Sequence, residues 1–331
     1  MIRRHRREAA PLPLVRAIAT WLCAALAVAG CAAPRVIRSE VAGGGRSPSS
    51  VGRPATATTV APTTAMPPTT TTEPEEPGWT TLSTGPRGIA IDERTVVESD
   101  GAQVTVARFL AGHVDYSLHV GSEDPPRGGA VVGPDSGPAV GAAELPLLLA
   151  CFNGGFQSST GAGGFEVDGQ VLVPLRAGLA SFVIDAAGVG QVGVWGANLP
   201  RPGTAVASVR QNLTPLVWDG QPNSQVGDVG AWGATLGGRP VVARSALGED
   251  LRGDLLFAGS MAALPVDLAD ALVASGATVA MELDINPEWV QLATATSPGG
   301  ALAARIPGQV RPADQCQVGW TRDFVAVLSV G

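Results

Sequence analysis

The chain contains no lysine; all 22 of its basic residues are Arg, set against 29 Asp and Glu, for a formal charge of −7. No basic patch stands out along it, which argues against a nucleic-acid partner. The use of Arg for Lys, together with abundant Ala, Gly and Pro, is the composition of a high-GC genome and carries no functional information. Long apolar runs are also missing. The uncharged stretch from Ala17 to Gly30 falls short of the roughly 20 residues that span a bilayer. Cysteine is scarce, with four in 331 residues, and there are only three His. No internal repeat is visible.

The short apolar run has its own meaning. It follows a basic start (Arg3, Arg4, Arg6, Arg7) and fits a secretory signal over residues 1–30. It ends Val28-Ala29-Gly30-Cys31, which resembles a bacterial lipobox with Cys31 as the lipidated new N-terminus. Ordinary signal cleavage nearby, with Cys31 incidental, is the alternative. Residues 31–78 read as a disordered tether: Gly43-Gly44-Gly45, Pro67-Pro68, a Thr run from Thr69 to Thr72 and Glu73-Pro74-Glu75-Glu76-Pro77 offer too little apolar surface to offset the entropy of ordering. The expected location is the outer face of the cytoplasmic membrane, held there by the lipid anchor. Residues 79–331, about 250, are one domain by length.

Two cysteines, Cys151 and Cys316, remain for that domain. In an exported protein they most simply form one disulfide. A catalytic thiol at Cys151, beside Asn153, is the competing reading, but no Cys–His pairing is visible. Strand-like runs dominate the rest: Val104–Leu110, Tyr116–Val120, Leu147–Phe152, Ser181–Asp185 with Gln191–Trp195 as a hairpin, Pro240–Arg244, Asp254–Ala258, Val279–Ile285 and Phe324–Val330. One helix is predicted from Pro265, with Asp267 in its first turn, apolar residues at helical spacing and Gly276 at its end. Strand, helix, strand at this spacing predicts a right-handed parallel crossover. The expected fold is α+β or mixed α/β, a single domain with an extensive sheet and a few packed helices.

Candidate chemistry lies in three segments. Thr278 to Asn286 alternates: Val279, Met281, Leu283 and Ile285 fall on one side of a strand, and Glu282, Asp284 and Asn286 on the other. Two carboxylates beside an apolar ridge have shifted pKa values and suit acid/base work; a solvated sheet face or a structural ion pair is the plain alternative. Asn153-Gly154-Gly155-Phe156 ends an apolar strand in a sharp turn, where Gly permits positive φ and close approach of a ligand. Arg244-Ser245-Ala246-Leu247-Gly248 puts an Arg at a strand end, suited to a phosphate or carboxylate or to partnering Glu282 or Asp284. His113 and His119 are further polar candidates. Asn212-Leu213-Thr214 matches a glycosylation sequon, which in a bacterium carries no weight. No cofactor is expected. Asp284-x-Asn286-x-Glu288 matches the start of a calcium loop, so a divalent cation is an alternative, although the sixth position is Trp289 where Gly is needed.

In order, Asn153-Gly154-Gly155-Phe156, Gln211-Asn212 before Pro215-Leu216-Val217 and Gly220, Arg244-Ser245-Ala246-Leu247-Gly248, the helix and Leu283-Asp284 resemble the phosphodiester glycosidase family over most of residues 100–331. The resemblance carries over Asn153, Arg244 and Asp284 as site residues. It implies a hydrolase of a sugar–phosphate or related glycosidic linkage, with a carbohydrate or sugar-phosphate ligand. Arg244 would hold the phosphate or leaving oxygen. Asp284 and Glu282, the latter resting on the strand pattern alone and not on the resemblance, would share the acid and base or nucleophile roles, with Asn153, Gly154, Gly155 and Asn286 binding substrate. After Asp284 the family has a glycine-rich loop ending in Ser, whereas this chain has Ile285-Asn286-Pro287-Glu288-Trp289. The alternative is therefore a non-catalytic envelope lipoprotein that binds a glycan or other ligand on the same fold.

Overall fold

The structure, a computed structural model, describes Glu76 and residues 78–233 and 236–331. The signal at 1–30, Cys31 and all of the tether but Glu76 and Gly78 lie outside the described residues.

Eighteen strands are found among the described residues. The first four are β1 (Thr80–Gly85), β2 (Gly88–Val97), β3 (Gln103–Phe109) and β4 (Val114–His119). Next come β5 (Leu148–Asn153), β6 (Phe165–Val167), β7 (Gln170–Val173), β8 (Ala180–Asp185) and β9 (Gly190–Val194). They are followed by β10 (Val206–Gln211), β11 (Val217–Trp218), β12 (Gln221–Pro222), β13 (Val242–Asp250) and β14 (Leu255–Ala263). After the helix α1 (Pro265–Ala274) come β15 (Ala277–Glu282), β16 (Leu292–Thr294), β17 (Ala303–Ala304), the one-turn α2 (Gln315–Val318) and β18 (Phe324–Ser329).

These strands make three sheets, with orders β1-β2-β3-β14-β13-β15-β11-β12, β7-β6-β10-β8-β9 and β17-β16-β5-β18-β4. Every strand pairing within them is antiparallel. The expected α+β or mixed α/β class is thereby corrected: this is a sheet-rich fold, and among the described residues only two α-helices occur, of ten and four residues. The crossover is present in a split form: helix α1 links β14 and β15, which run the same way in one sheet, while β13 lies between them and pairs antiparallel with both.

One apolar core joins all three sheets, through residues such as Phe109 and Phe257, Phe152 and Val327, and Phe165 and Phe182. The alternation on β15 feeds it: Val279, Met281 and Leu283 all belong to this core. The opposite face of the large sheet is covered by α1, whose Leu268, Ala269, Ala271 and Leu272 pack on Ala246, Leu256 and Ala280. Both faces of β13 and β15 are therefore buried. Cys151 of β5 and Cys316 of α2 form a disulfide, with Cα atoms 6.5 Å apart, inside a third cluster with Trp320 and Phe324.

Candidate functional site

The sequence-predicted residues divide into two groups. Arg244 and Glu282 form a fully buried ion pair, Nη1 to Oε1 2.7 Å, on the α1 face of the large sheet. Arg244 is not at a strand end but is the third residue of β13. Among the described residues it also donates to the carbonyls of Ala263, Trp232 and Pro240, and so ties those three points of main chain together. Burial pushes the Glu282 carboxyl up to about 8, against the pull of Arg244 and with Asp284 adding to the push. Glu282 Oε2 has no hydrogen-bond partner among the described residues.

Asp284 is elsewhere. β15 ends at Glu282, and its regular alternation stops there: Leu283 N–H donates to Ser245 O and Ser245 N–H to Asp284 O, so two residues face one before the chain turns away. The main chain of this turn is fixed from two sides. Ser245 Oγ accepts the Asp284 N–H at 3.2 Å, and Asn153 Nδ2 donates to the same Ser245 oxygen at 2.9 Å. From the other side, Asn212 Nδ2 donates to the carbonyls of Glu282 and Leu283, while its Oδ1 accepts from Phe156 N–H. Asn212 is completely buried, which removes its side chain from any glycosylation.

Held in this way, Asp284 lines an open cleft of about 510 Å³. Phe156, Leu213, Ile285 and Trp289 supply apolar wall, and Gln157, Thr160, Asn286 and Arg322 supply polar groups. Asp284 Oδ1 accepts from the amides of Ile285 and Asn286 at 2.7 and 2.9 Å, and Oδ2 accepts from Arg322 Nη2 at 3.2 Å. Burial pushes its carboxyl up to about 6, opposed by Arg322 and the two amides and reinforced by Asp323. Arg322 also donates to Gly155 O at 2.9 Å, faces Asp124 at 3.6 Å and lies 5.1 Å from the centre of the Trp289 ring, which Arg311 approaches at 5.0 Å.

Gly154 and Gly155 stand behind this wall, and neither has positive φ. Their need for Gly is steric. A Cβ at Gly154 would overlap the Asp323 carboxylate, and one at Gly155 would fall 2.8 Å from the Arg210 guanidinium. The close approach they permit is that of the buried Arg210–Asp323 pair, Nε to Oδ2 2.7 Å, which also holds Phe156 O.

The structure thus brings Asp284 and Asn286 to the cleft, sets Asn153, Gly154 and Gly155 directly behind it, and places Arg244 and Glu282 in the fully buried layer under α1, outside the cleft lining. The residue that sequence reasoning missed is Arg322, whose signal was a charged pair, Arg322-Asp323, directly before the last strand. His119 is buried within β4, stacked on Phe324 with ring centres 4.4 Å apart and 3.1 Å from Glu144; His113 lines a different cavity. In the calcium-like stretch, the Asn286 Oδ1 atom accepts from Glu288 N–H and Glu288 pairs with Arg311, so these oxygens serve the turn. No group of three or more His, Cys, Asp or Glu among the described residues is placed to hold a metal ion.

No protein-family model and no curated protein matches the chain. Among solved structures, it is similar to the zebrafish N-acetylglucosamine-1-phosphodiester alpha-N-acetylglucosaminidase catalytic domain auto-inhibited by pro-peptide, at 16% identity over 76% of this chain and 88% of that one, with a TM-score of 0.46. It is also similar to a hypothetical protein from Synechocystis, at 12% identity over 74% of this chain and 63% of that one, with a TM-score of 0.44.

Proposed function

We propose that the Asp284 cleft is the active site of an exported, membrane-anchored hydrolase that cleaves a sugar–phosphate or related glycosidic linkage. One observation carries this reading: a carboxyl raised to about 6 by burial, yet in contact with an Arg and opening on a cleft of ligand size. A carboxyl in that range holds a proton at mildly acid pH and gives it to a leaving oxygen. In the proposed step, water adds to the anomeric carbon as the carbon–oxygen bond breaks, the departing oxygen takes the Asp284 proton, and the proton released by the water passes through solvent back to the Asp284 carboxylate. Arg322 stabilises negative charge on the phosphate as that bond breaks. The motif resemblance in the sequence supports the same substrate class. Glu282 does not touch substrate in this reading; it pairs with the buried Arg244.

A specific observation favours a second reading, ligand binding without turnover. Both Asp284 oxygens are already hydrogen-bonded, and among the described residues the cleft has no second carboxylate in its lining. Assay of the purified protein on a panel of aryl glycosyl phosphodiesters and aryl glycosides separates the two. The hydrolase reading expects turnover whose kcat/KM declines as pH rises through about 6, where Asp284 loses its proton. It also expects Asp284→Asn to lower kcat by about 100-fold or more. Saturable binding of the same compounds with no turnover supports the second reading and sinks the first.

A further inference from the structure

A second charged cavity, of about 240 Å³, lies at the other end of the large sheet. Its floor is Arg108, 4% exposed, gripped by Asp92 through Nε at 3.0 Å and Nη2 at 2.5 Å. Its rim is Arg252, on the turn between β13 and β14, paired with Asp250 and Asp254 at 3.1 and 3.2 Å. Each guanidinium keeps one arm free of these acids, and both arms converge on a single carboxylate. Glu76 accepts from Arg108 Nη1 at 2.7 Å and from Arg252 Nη1 at 2.8 Å. Trp79 closes the contact: its N–H donates to Glu76 O at 3.1 Å, and the Arg108 guanidinium lies 4.4 Å from the centre of its ring.

The place of this contact follows from strand register. On β13, Asp250 pairs with Ala277 at the start of β15, whereas Ala246 pairs with Glu282 at its end. Ser245, which holds Asp284, is five positions before Asp250, or roughly 17 Å along a strand at 3.3–3.4 Å per residue. Arg108 and Asp92 lie level with Leu256, close to that turn. Glu76 is thus seated at the end of the sheet opposite to the Asp284 cleft.

We propose that the Arg108–Arg252 pocket is a carboxylate-binding site whose occupant is Glu76 of the same chain, and that this clamp fixes the point where the N-terminal segment leaves the domain. A pull on the N-terminus, from an anchor or a partner, then reaches the domain from the end remote from the cleft and turns the cleft outward. Hydrogen bonds from Arg108 and then Arg252 hold the Glu76 carboxyl below its usual range, consistent with a charged ligand. The contact is half exposed and so weakens with salt.

Two measurements on the full chain test this. Hydrogen exchange of the backbone over residues 78–81 is expected to quicken at least tenfold in Glu76→Gln and in Arg252→Gln, and to stay unchanged in Arg87→Gln, whose guanidinium binds Gly112 O and Gly331 O instead. Spin labels on Cys introduced at Thr72 and Leu251, with Cys23 and Cys31 replaced by Ala, are expected to give a shorter and narrower distance distribution than labels at Thr72 and Thr160 of the cleft wall. Glu76→Gln should broaden both. Equal exchange in Glu76→Gln and the parent chain, or label distances indifferent to Glu76, would overturn the clamp.

Discussion

Two carboxylates two residues apart meet opposite fates because one is on a strand and the other is past its end. Glu282 is the last residue of β15 and points under α1, where it pairs with Arg244. Asp284 lies past the end of β15, in an irregular continuation where Ser245 N–H still donates to its carbonyl, and its side chain faces the cleft. Alternation in the sequence made the two look equivalent, since period-two reasoning cannot see where a strand stops. The same limit hid Arg322 and Asn212, whose partners, at Asp284 and across residues 156 and 282–283, are remote in sequence. Glu282 has a pH signature of its own. Its folded-state pKa, about 8, lies above the ordinary 4.5, so between these values the folded state holds a proton that the unfolded chain has lost. By linkage, stability falls as pH rises through that window. Thermal melts from pH 5 to 8 are expected to show this decline, and Glu282→Gln, which does not titrate, to flatten it above about 6, where Asp284 has already lost its proton. An equal slope in the variant would mean that Glu282 stays charged beside Arg244.

At the scale of elements, what the sequence disclosed depended on what each element buries. Helix α1 was legible from Pro265 onward because its apolar face and its terminal residues follow local rules, and its observed span is Pro265–Ala274. The β8–β9 hairpin was legible for the same reason. β13 was not. Its sequence, Val-Ala-Arg-Ser-Ala-Leu-Gly-Glu-Asp, reads as a short strand followed by a polar loop, yet eight of its nine residues are buried. Its polar groups tolerate this because each is paired: Arg244 with Glu282, and Glu249 with Arg201 and the Val192 amide. Such pairing is a tertiary fact with no local sequence signal. The second layer on this sheet is thin, so α1 carries it. Leu272 is fully buried against the sheet, and Leu272→Ala is expected to cost about 2–5 kcal/mol in urea unfolding. A loss below about 1 kcal/mol would mean that α1 is not closely packed there.

On the scale of the whole molecule, the error in fold class has the same root as the missed strand. Helix α1 joins two strands that run the same way, as the spacing predicted, but β13, the strand lying between them, comes before both in the chain and makes every pairing there antiparallel. Three antiparallel sheets around one core leave long stretches of chain between contacts that must meet, and the disulfide closes one of the longest. Cys151 is level with Ala293 and Ala326 on the neighbouring strands β16 and β18, and its partner Cys316 is 165 residues away on α2. Closing a loop of that size removes unfolded-state entropy worth about 4–5 kcal/mol in the chain-entropy model. The Cys151→Ser, Cys316→Ser double variant is therefore expected to unfold at clearly lower urea concentration with a somewhat larger m-value, because the unfolded chain without the bridge is less compact. Cys151 itself is held in place by β16 and β18 on either side, whereas α2 is a single turn with Cys316 as its only buried residue. Loosening in the double variant should therefore concentrate at residues 315–318 in hydrogen exchange and spare the Asp284 turn, which Ser245, Asn153 and Asn212 hold independently. If the Asp284 turn loosens as much as α2 does, the bridge supports the cleft as well as the fold.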